Sequence, residues 1–360
     1  MCSCDVYTKV SCASVVCREG CHCLVVVIIF FLMIRRPPRA TQSRSSAASD
    51  VYNIQDTGRF SWLTMRPMSL YESGESNGKV SLKELFESPD KILAVNKLKI
   101  DDLAYLICRG GWPFACGLEA EAALSQAFDY VDAVIKKDIS RVDGVNRNST
   151  TARLLLRSYA RNQGSQATIG TIVADMATND ENEISVKTAG GYMEALRKIF
   201  VIEDSEAWNP NLRSKTAVRT ENTRYFIDPS IGTAVLGLGP NDLLKDLNSM
   251  GLFFETLCVR DLRVFADAID GEVYHFRDKS GLECDAVVHL RNGKYGLVEI
   301  KLGGDRLINE GAENLQKLAE KINTDKMNEP SFMMVLVGTG DYAYRRTDGV
   351  YVVPIGCLKD

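Results

Sequence analysis

What this 360-residue sequence most plainly lacks is a strong charge of either sign. It carries 43 basic and 47 acidic groups, a formal net charge of −4. No global basic field marks it for nucleic acid, so any such contact has to be local. Long apolar runs are lacking too: the stretch at residues 24–34 has 11 apolar residues, too few to span a bilayer. Arg18 and Glu19 precede it, which suits no signal peptide, and no small-residue cleavage pattern follows. Cysteine is sparse beyond residue 23. Six of the 11 (Cys2, Cys4, Cys12, Cys17, Cys21, Cys23) lie before that point, and Cys108, Cys116, Cys258, Cys284 and Cys357 are scattered, as in a reduced intracellular protein. Cys17-x₃-Cys21-His22-Cys23 matches no common zinc finger. The remaining composition, 45% hydrophobic and 25% charged, is ordinary globular material with room for two or three domains.

The first fifty residues stand apart, with six basic and three acidic groups; the other 310 carry a net −7. Residues 30–52, with Arg35-Arg36-Pro37-Pro38-Arg39 near their start, closely resemble translated sequencing-adapter read-through. Residues 1–52 are read as not encoded with this protein; the alternative is a genuine membrane-associated or metal-binding N-terminus.

What is present is a chemical signal near the C-terminus. Residues 282–290 and 295–302 read as a β-hairpin joined at Arg291-Asn292-Gly293. A two-residue turn would mix charge and aliphatics on both faces. A three-residue loop with Gly293 left-handed segregates them. It pairs Asp285 with Glu299, Glu283 with Lys301, Val287 with Leu297 and His289 with Tyr295. Cys284, Ala286, Val288 and Leu290 then share a dry face with Gly296, Val298 and Ile300, leaving the charged face wet. Two opposed carboxylates suit a hard cation such as Mg²⁺, with water and substrate phosphate completing the octahedron. Lys301 is placed to orient the attacking water or stabilise phosphorane-like charge. Glu255, on a predicted helix from Gly251, would supply a third carboxylate. The plainer reading is an ordinary cross-strand ion pair between Glu283 and Lys301.

This constellation resembles the PD-(D/E)XK nuclease superfamily. The resemblance implies a catalytic set of Asp285, Glu299, Lys301 and Glu255, with Asp285 and Glu299 on the metal. Residues 240–360 fit its order of helix, strand, strand, helix (309–322) and late strand (331–337). The proline sometimes found before the Asp is replaced by Cys284.

Upstream, Ser81 and Glu84 predict a capped short helix. Apolar spacing predicts helices at 100–109 and 119–139, and a strand is read at 58–70 ending at Pro67. Helices at 151–162, 168–176 and 185–200, then a strand pair at 200–203 and 224–228, read as a winged-helix unit. Its third helix offers Lys187, Arg197 and Lys198 to DNA, and a loop with Arg213, Lys215 and Arg219 offers contacts to phosphate. The acidic run at 180–183 argues for protein contact instead.

Gly58-Arg59, Met65-Arg-Pro-Met-Ser-Leu-Tyr-Glu-Ser-Gly-Glu-Ser76, Arg109-Gly-Gly-Trp-Pro113 and Tyr225-Phe-Ile-Asp228 make residues 53–360 resemble predicted bacterial and archaeal AAA+ class ATPases that end in a domain of unknown function. That implies an α+β, α/β multidomain chain. Its parts are an AAA+ remnant with helical lid (53–148), a winged helix (149–235) and a nuclease-like mixed sheet flanked by helices (236–360). The resemblance also implies ATP in the full-length family, self-association through the ATPase part, possible DNA contact, no membrane and a cytoplasmic location. The sequence holds no G-x-x-x-x-G-K-[ST], so this chain is expected not to hydrolyse ATP and reads as truncated at its start. Arg59 is a candidate arginine finger toward ATP, or else a structural arginine.

Overall fold

The computed structural model describes residues 64–89, 91–177, 184–209, 221–322 and 327–360. Residues 1–52, Arg59, the acidic run at 180–183 and the basic loop with Arg213, Lys215 and Arg219 lie outside the described residues. Thr64–Asp360 forms one compact unit of mixed α and β structure.

In chain order it begins with β1 (Val80–Ser81) and the one-turn helix α1 (Leu82–Leu85). Ser81 caps that helix as its sequence predicts, its hydroxyl accepting from the Glu84 amide at 3.2 Å. β2 (Ala94–Val95) and α2 (Ile100–Arg109) follow, then α3 (Ala120–Ala133), which runs on through a π-helical stretch at Val134–Asp138. Next come α4 (Ser149–Arg161), α5 (Ile169–Ala177), α6 (Val186–Lys198), α7 (Pro229–Leu236) and α8 (Pro240–Lys245). The long helix α9 (Leu247–Ala268) leads into β3 (Gly271–Arg277), β4 (Glu283–Leu290) and β5 (Tyr295–Lys301). α10 (Asp305–Lys321), β6 (Phe332–Val337), β7 (Tyr342–Arg345), β8 (Tyr351–Pro354) and β9 (Leu358–Lys359) complete it.

Seven strands form one sheet in the order β2-β7-β8-β6-β5-β4-β3. β5, β6 and β8 run parallel and the other pairs antiparallel. A parallel step from β5 to β6 needs a crossover, and α10 supplies it. Helices cover both faces of this sheet. On one, Phe254, Leu257 and Leu262 of α9 pack with Ala286, Val288, Val298 and Leu336. On the other, Ile308, Ala312 and Leu315 of α10 pack with Val287, Leu297 and Val335. Strands buried on both sides read as near-continuous apolar runs, which explains Phe332–Val337. A separate apolar cluster joins α3 to α7. No helix among the described residues is long and apolar enough to cross a membrane.

One sequence expectation fails here. The predicted strand at 58–70 is absent over its described part, residues 64–70. The backbone there bonds to loops and side chains instead: the Met68 amide donates to the Gly111 carbonyl at 2.7 Å, and the Leu70 amide to Asp261 Oδ2 at 2.9 Å. The strand pair expected near 200–203 and 224–228 is reduced to isolated antiparallel bridges, Ile202–Phe226 and Ser205–Thr223. In α6, Arg197 is held by Asp204 at 2.7 Å and Lys198 by Glu194 at 3.5 Å.

Candidate active site

The β4–β5 hairpin adopts the three-residue loop. His289 pairs with Tyr295, Val287 with Leu297 and Ala286 with Val298. Gly293 sits at φ +86°, a left-handed position that the loop requires, and its amide donates to the Leu290 carbonyl at 2.9 Å. The alternation then breaks. Between the Tyr274–Val287 and Phe276–Cys284 pairs, β3 advances two residues and β4 three. This bulge over Asp285 and Ala286 resets which side each residue faces. Cys284, expected beside Ala286 and Val288, instead joins the opposite cluster with Val287 and Leu297.

Beside the bulge, the Asp285 side chain accepts from the backbone of β5. The β4–β5 ladder ends at Ala286–Val298, and the next amide, Ile300, donates to Asp285 Oδ2 at 2.7 Å. Lys301 Nζ lies 3.2 Å from the same oxygen and 2.6 Å from Glu299 Oε2. Asp285, Glu299 and Lys301 are thus brought together, through their side chains rather than through the expected Asp285–Glu299 and Glu283–Lys301 ladder pairs. Glu283 is not part of the group: it pairs with Arg277 on β3, 3.6 Å apart, so the simple Glu283–Lys301 ion pair does not form.

Nor is the charged face wet. α10 closes over it, with Gly311 so near that an added Cβ would lie 3.4 Å from the Glu299 Cβ. Glu299 is 1% exposed, and its Oε1 has no hydrogen-bond partner. An isolated buried carboxylate oxygen is costly, so the site is built around an unmet acceptor. The Asp285 and Glu299 carboxyl groups also lie within hydrogen-bonding reach of each other, which raises the Glu299 pKa further. Each carboxylate holds Lys301 with one oxygen, and Glu299 Oε1 is left without a partner. An adjacent carboxylate pair suits a cation such as Mg²⁺, which takes one or two protein carboxylates. Among the described residues no three carboxylate, imidazole or thiol groups are assembled to hold a metal ion.

Glu255 comes to the cluster from α9, and the Tyr225 hydroxyl donates to its Oε1. Gly164, at φ +68°, packs against it; a Cβ there would lie 3.3 Å from Oε1 in a backbone conformation that L side chains avoid. Glu255 and Glu299 are both pushed up to about 8, first by burial and then by the Asp285 charge. Burial works against the Lys301 ammonium, yet Asp285 and Glu299 outweigh it and hold its pKa above the usual lysine value.

These shifts fix a sign. An unfolded Glu titrates at about 4.3. Between there and about 8 the folded chain keeps protons that the unfolded chain has lost. The stability these two groups supply is therefore complete at low pH and is lost as pH rises through that window. The thermal midpoint of the wild type should fall from about pH 5 to about pH 8.5, and Glu299→Gln should flatten the decline. Parallel curves for the two proteins would contradict the assignment.

Sequence reasoning missed a second buried cluster. Arg260 Nη1 donates to Asp228 Oδ2 at 2.9 Å and Nη2 to Asp261 Oδ1 at 2.7 Å. Asp228 also accepts from the Gly111 and Ser230 amides, each at 2.9 Å. The motifs at 65–76, 109–113 and 225–228 thus meet in space around one arginine. A readable signal existed, since Asp261 falls between Leu257, Cys258 and Phe265 at the spacing of a packed helical face.

With that geometry described, two family profiles locate themselves on it. Residues 100–242 match a Domain of unknown function (DUF8612), and residues 250–358 match a Domain of unknown function (DUF4143). The second occurs in AAA-type ATPase proteins. No curated protein matches the chain. Asp285, Glu299, Lys301 and Glu255 lie in the second region; Tyr225 and Gly164 lie in the first. Arg59 lies in neither, nor among the described residues.

Proposed function

We propose that residues 250–358 form a nuclease-like domain of PD-(D/E)XK type that hydrolyses nucleic-acid phosphodiesters with a divalent cation, within an AAA+ related chain. The observation that carries this is the unpartnered Glu299 Oε1 beside Asp285, on carboxylates already bridged by Lys301. A cation bound there would supply Lewis acidity to the phosphate and acidify its water. The chain's own groups do the rest. Lys301, charged throughout the neutral range, stabilises the charge developing on the phosphoryl oxygens. Glu255, which loses its proton at about 8, is tuned to accept one from the attacking water. The Tyr225 hydroxyl holds Glu255 Oε1 and fixes the orientation of the other oxygen. α10 and the buried sheet exclude bulk water from Glu299. This sequence holds no phosphate loop to cradle a nucleoside triphosphate for hydrolysis.

The test is cleavage of labelled single- and double-stranded DNA by the full chain in Mg²⁺ or Mn²⁺. Asp285→Asn should cost about 10²–10³ in rate. No cleavage by the wild type, or equal cleavage by Asp285→Asn, would overturn the reading. A second reading, a non-catalytic regulatory or docking module on the same fold, draws on the absence of a three-ligand group among the described residues. Calorimetric Mg²⁺ binding without cleavage would favour it.

A further inference from the structure

Helix α4 buries Ala152, Leu155, Leu156, Tyr159 and Ala160 against the helical cluster. Its outer face carries Arg153, Arg157 and Arg161, spaced four residues apart and so rising by about 6 Å at each step. With Thr150, Leu154 and Met176 they line a cavity of about 230 Å³ that has no acidic residue in its wall. Asp132 of α3 holds Arg153 at 2.7 Å, and Asp175 of α5 holds Arg161 at 2.5 Å. These acids fix two guanidinium groups from outside the cavity. Arg157, exposed between them, has no ion pair among the described residues.

Like charges four residues apart weaken a helix by a few tenths of a kcal/mol per pair, so the row has no value to the helix itself. It is complementary to a chain of negative charges. Three residues beyond Arg161, an added Cβ on Gly164 would lie 3.3 Å from Glu255 Oε1, so the end of α4 approaches the acidic site. A cationic row leading to it supplies the local basic surface that the net charge of −4 does not.

We propose that Arg153, Arg157 and Arg161 bind the sugar–phosphate backbone of a nucleic acid and lead it toward Asp285, Glu299 and Lys301. The destination rests on the nuclease reading; the binding does not. Fluorescence anisotropy of the full chain with labelled DNA, in EDTA and across a salt series, tests it. Arg157→Ala should weaken binding and lower the slope of log K against log salt by about 0.9 for duplex DNA. Its thermal midpoint should stay unchanged, and Asp285→Asn should still bind. Identical affinity and slope for Arg157→Ala and wild type would overturn the row's role, whatever the cleavage assay shows. Displacement of the DNA by an acidic peptide or inorganic phosphate at equal charge concentration would also overturn it. Binding that depends on Arg157, without cleavage in metal, would uphold the row and fail the nuclease reading alone.

Discussion

Lys301→Met is expected to abolish cleavage, with a loss of about 10²–10³, while leaving Asp285 and Glu299 in place. The ammonium bridges both carboxylates, at 3.2 Å and 2.6 Å. Its removal also takes away the positive charge that holds the pKa of Glu299 down against burial, so that pKa should climb beyond about 8. The stability cost then depends on pH. While Glu299 keeps its proton it adds no negative charge beside Asp285. Once it ionises with no cation between the two groups, the cost approaches about 3–5 kcal/mol. Urea denaturation of the variant at pH 6 and pH 9 separates these cases; equal losses at both would contradict the charge assignment. Lys301→Arg should not restore full activity, because a planar fork cannot replace a compact ammonium between the two acids.

The largest effect on folding is expected from Arg260→Met. Arg260 is 2% exposed, and Asp228 and Asp261 are fully buried beside it. The substitution keeps most of the volume but leaves two buried acids unpaired, at a cost of about 3–5 kcal/mol. Burial already pushes the Asp261 pKa up, and the arginine is what opposes it. Because Asp228 also receives the Gly111 amide and Asp261 the Leu70 amide, the loss should loosen residues 64–76 first. Hydrogen exchange of those amides, alongside the denaturation midpoint, checks both parts. Removing all three charges together should cost less than the single change, since buried triads stabilise weakly once no charge is left unpaired.

The elements nearest in sequence were the most legible. The bounds of α2 follow from its apolar spacing alone, and Ser81 announces α1. The hairpin register could be worked out because only one loop length segregates charged from apolar side chains, and the observed Val287–Leu297 and His289–Tyr295 pairs follow from it. That reasoning assumed strict alternation through Cys284. It missed the bulge, because an extra residue in β4 is defined against β3, a strand the hairpin does not contain. The charged face was also expected to be wet. Whether a helix such as α10 lies over a strand is decided by a crossover many residues away, so the burial of Glu299 was not readable locally.

By itself the sequence determined which chemistry-bearing groups exist and which neighbours share a strand: Asp285 on β4, and Glu299 on β5 with Lys301 two residues on. Local spacing and turn geometry suffice for that. Only the tertiary structure decided that these groups are shielded, that Glu255 reaches them from α9 under the hand of Tyr225, and that Arg260 ties three distant motifs together. Burial and long-range pairing set the electrostatics of a carboxylate, and both depend on residues that come close only when the chain has folded.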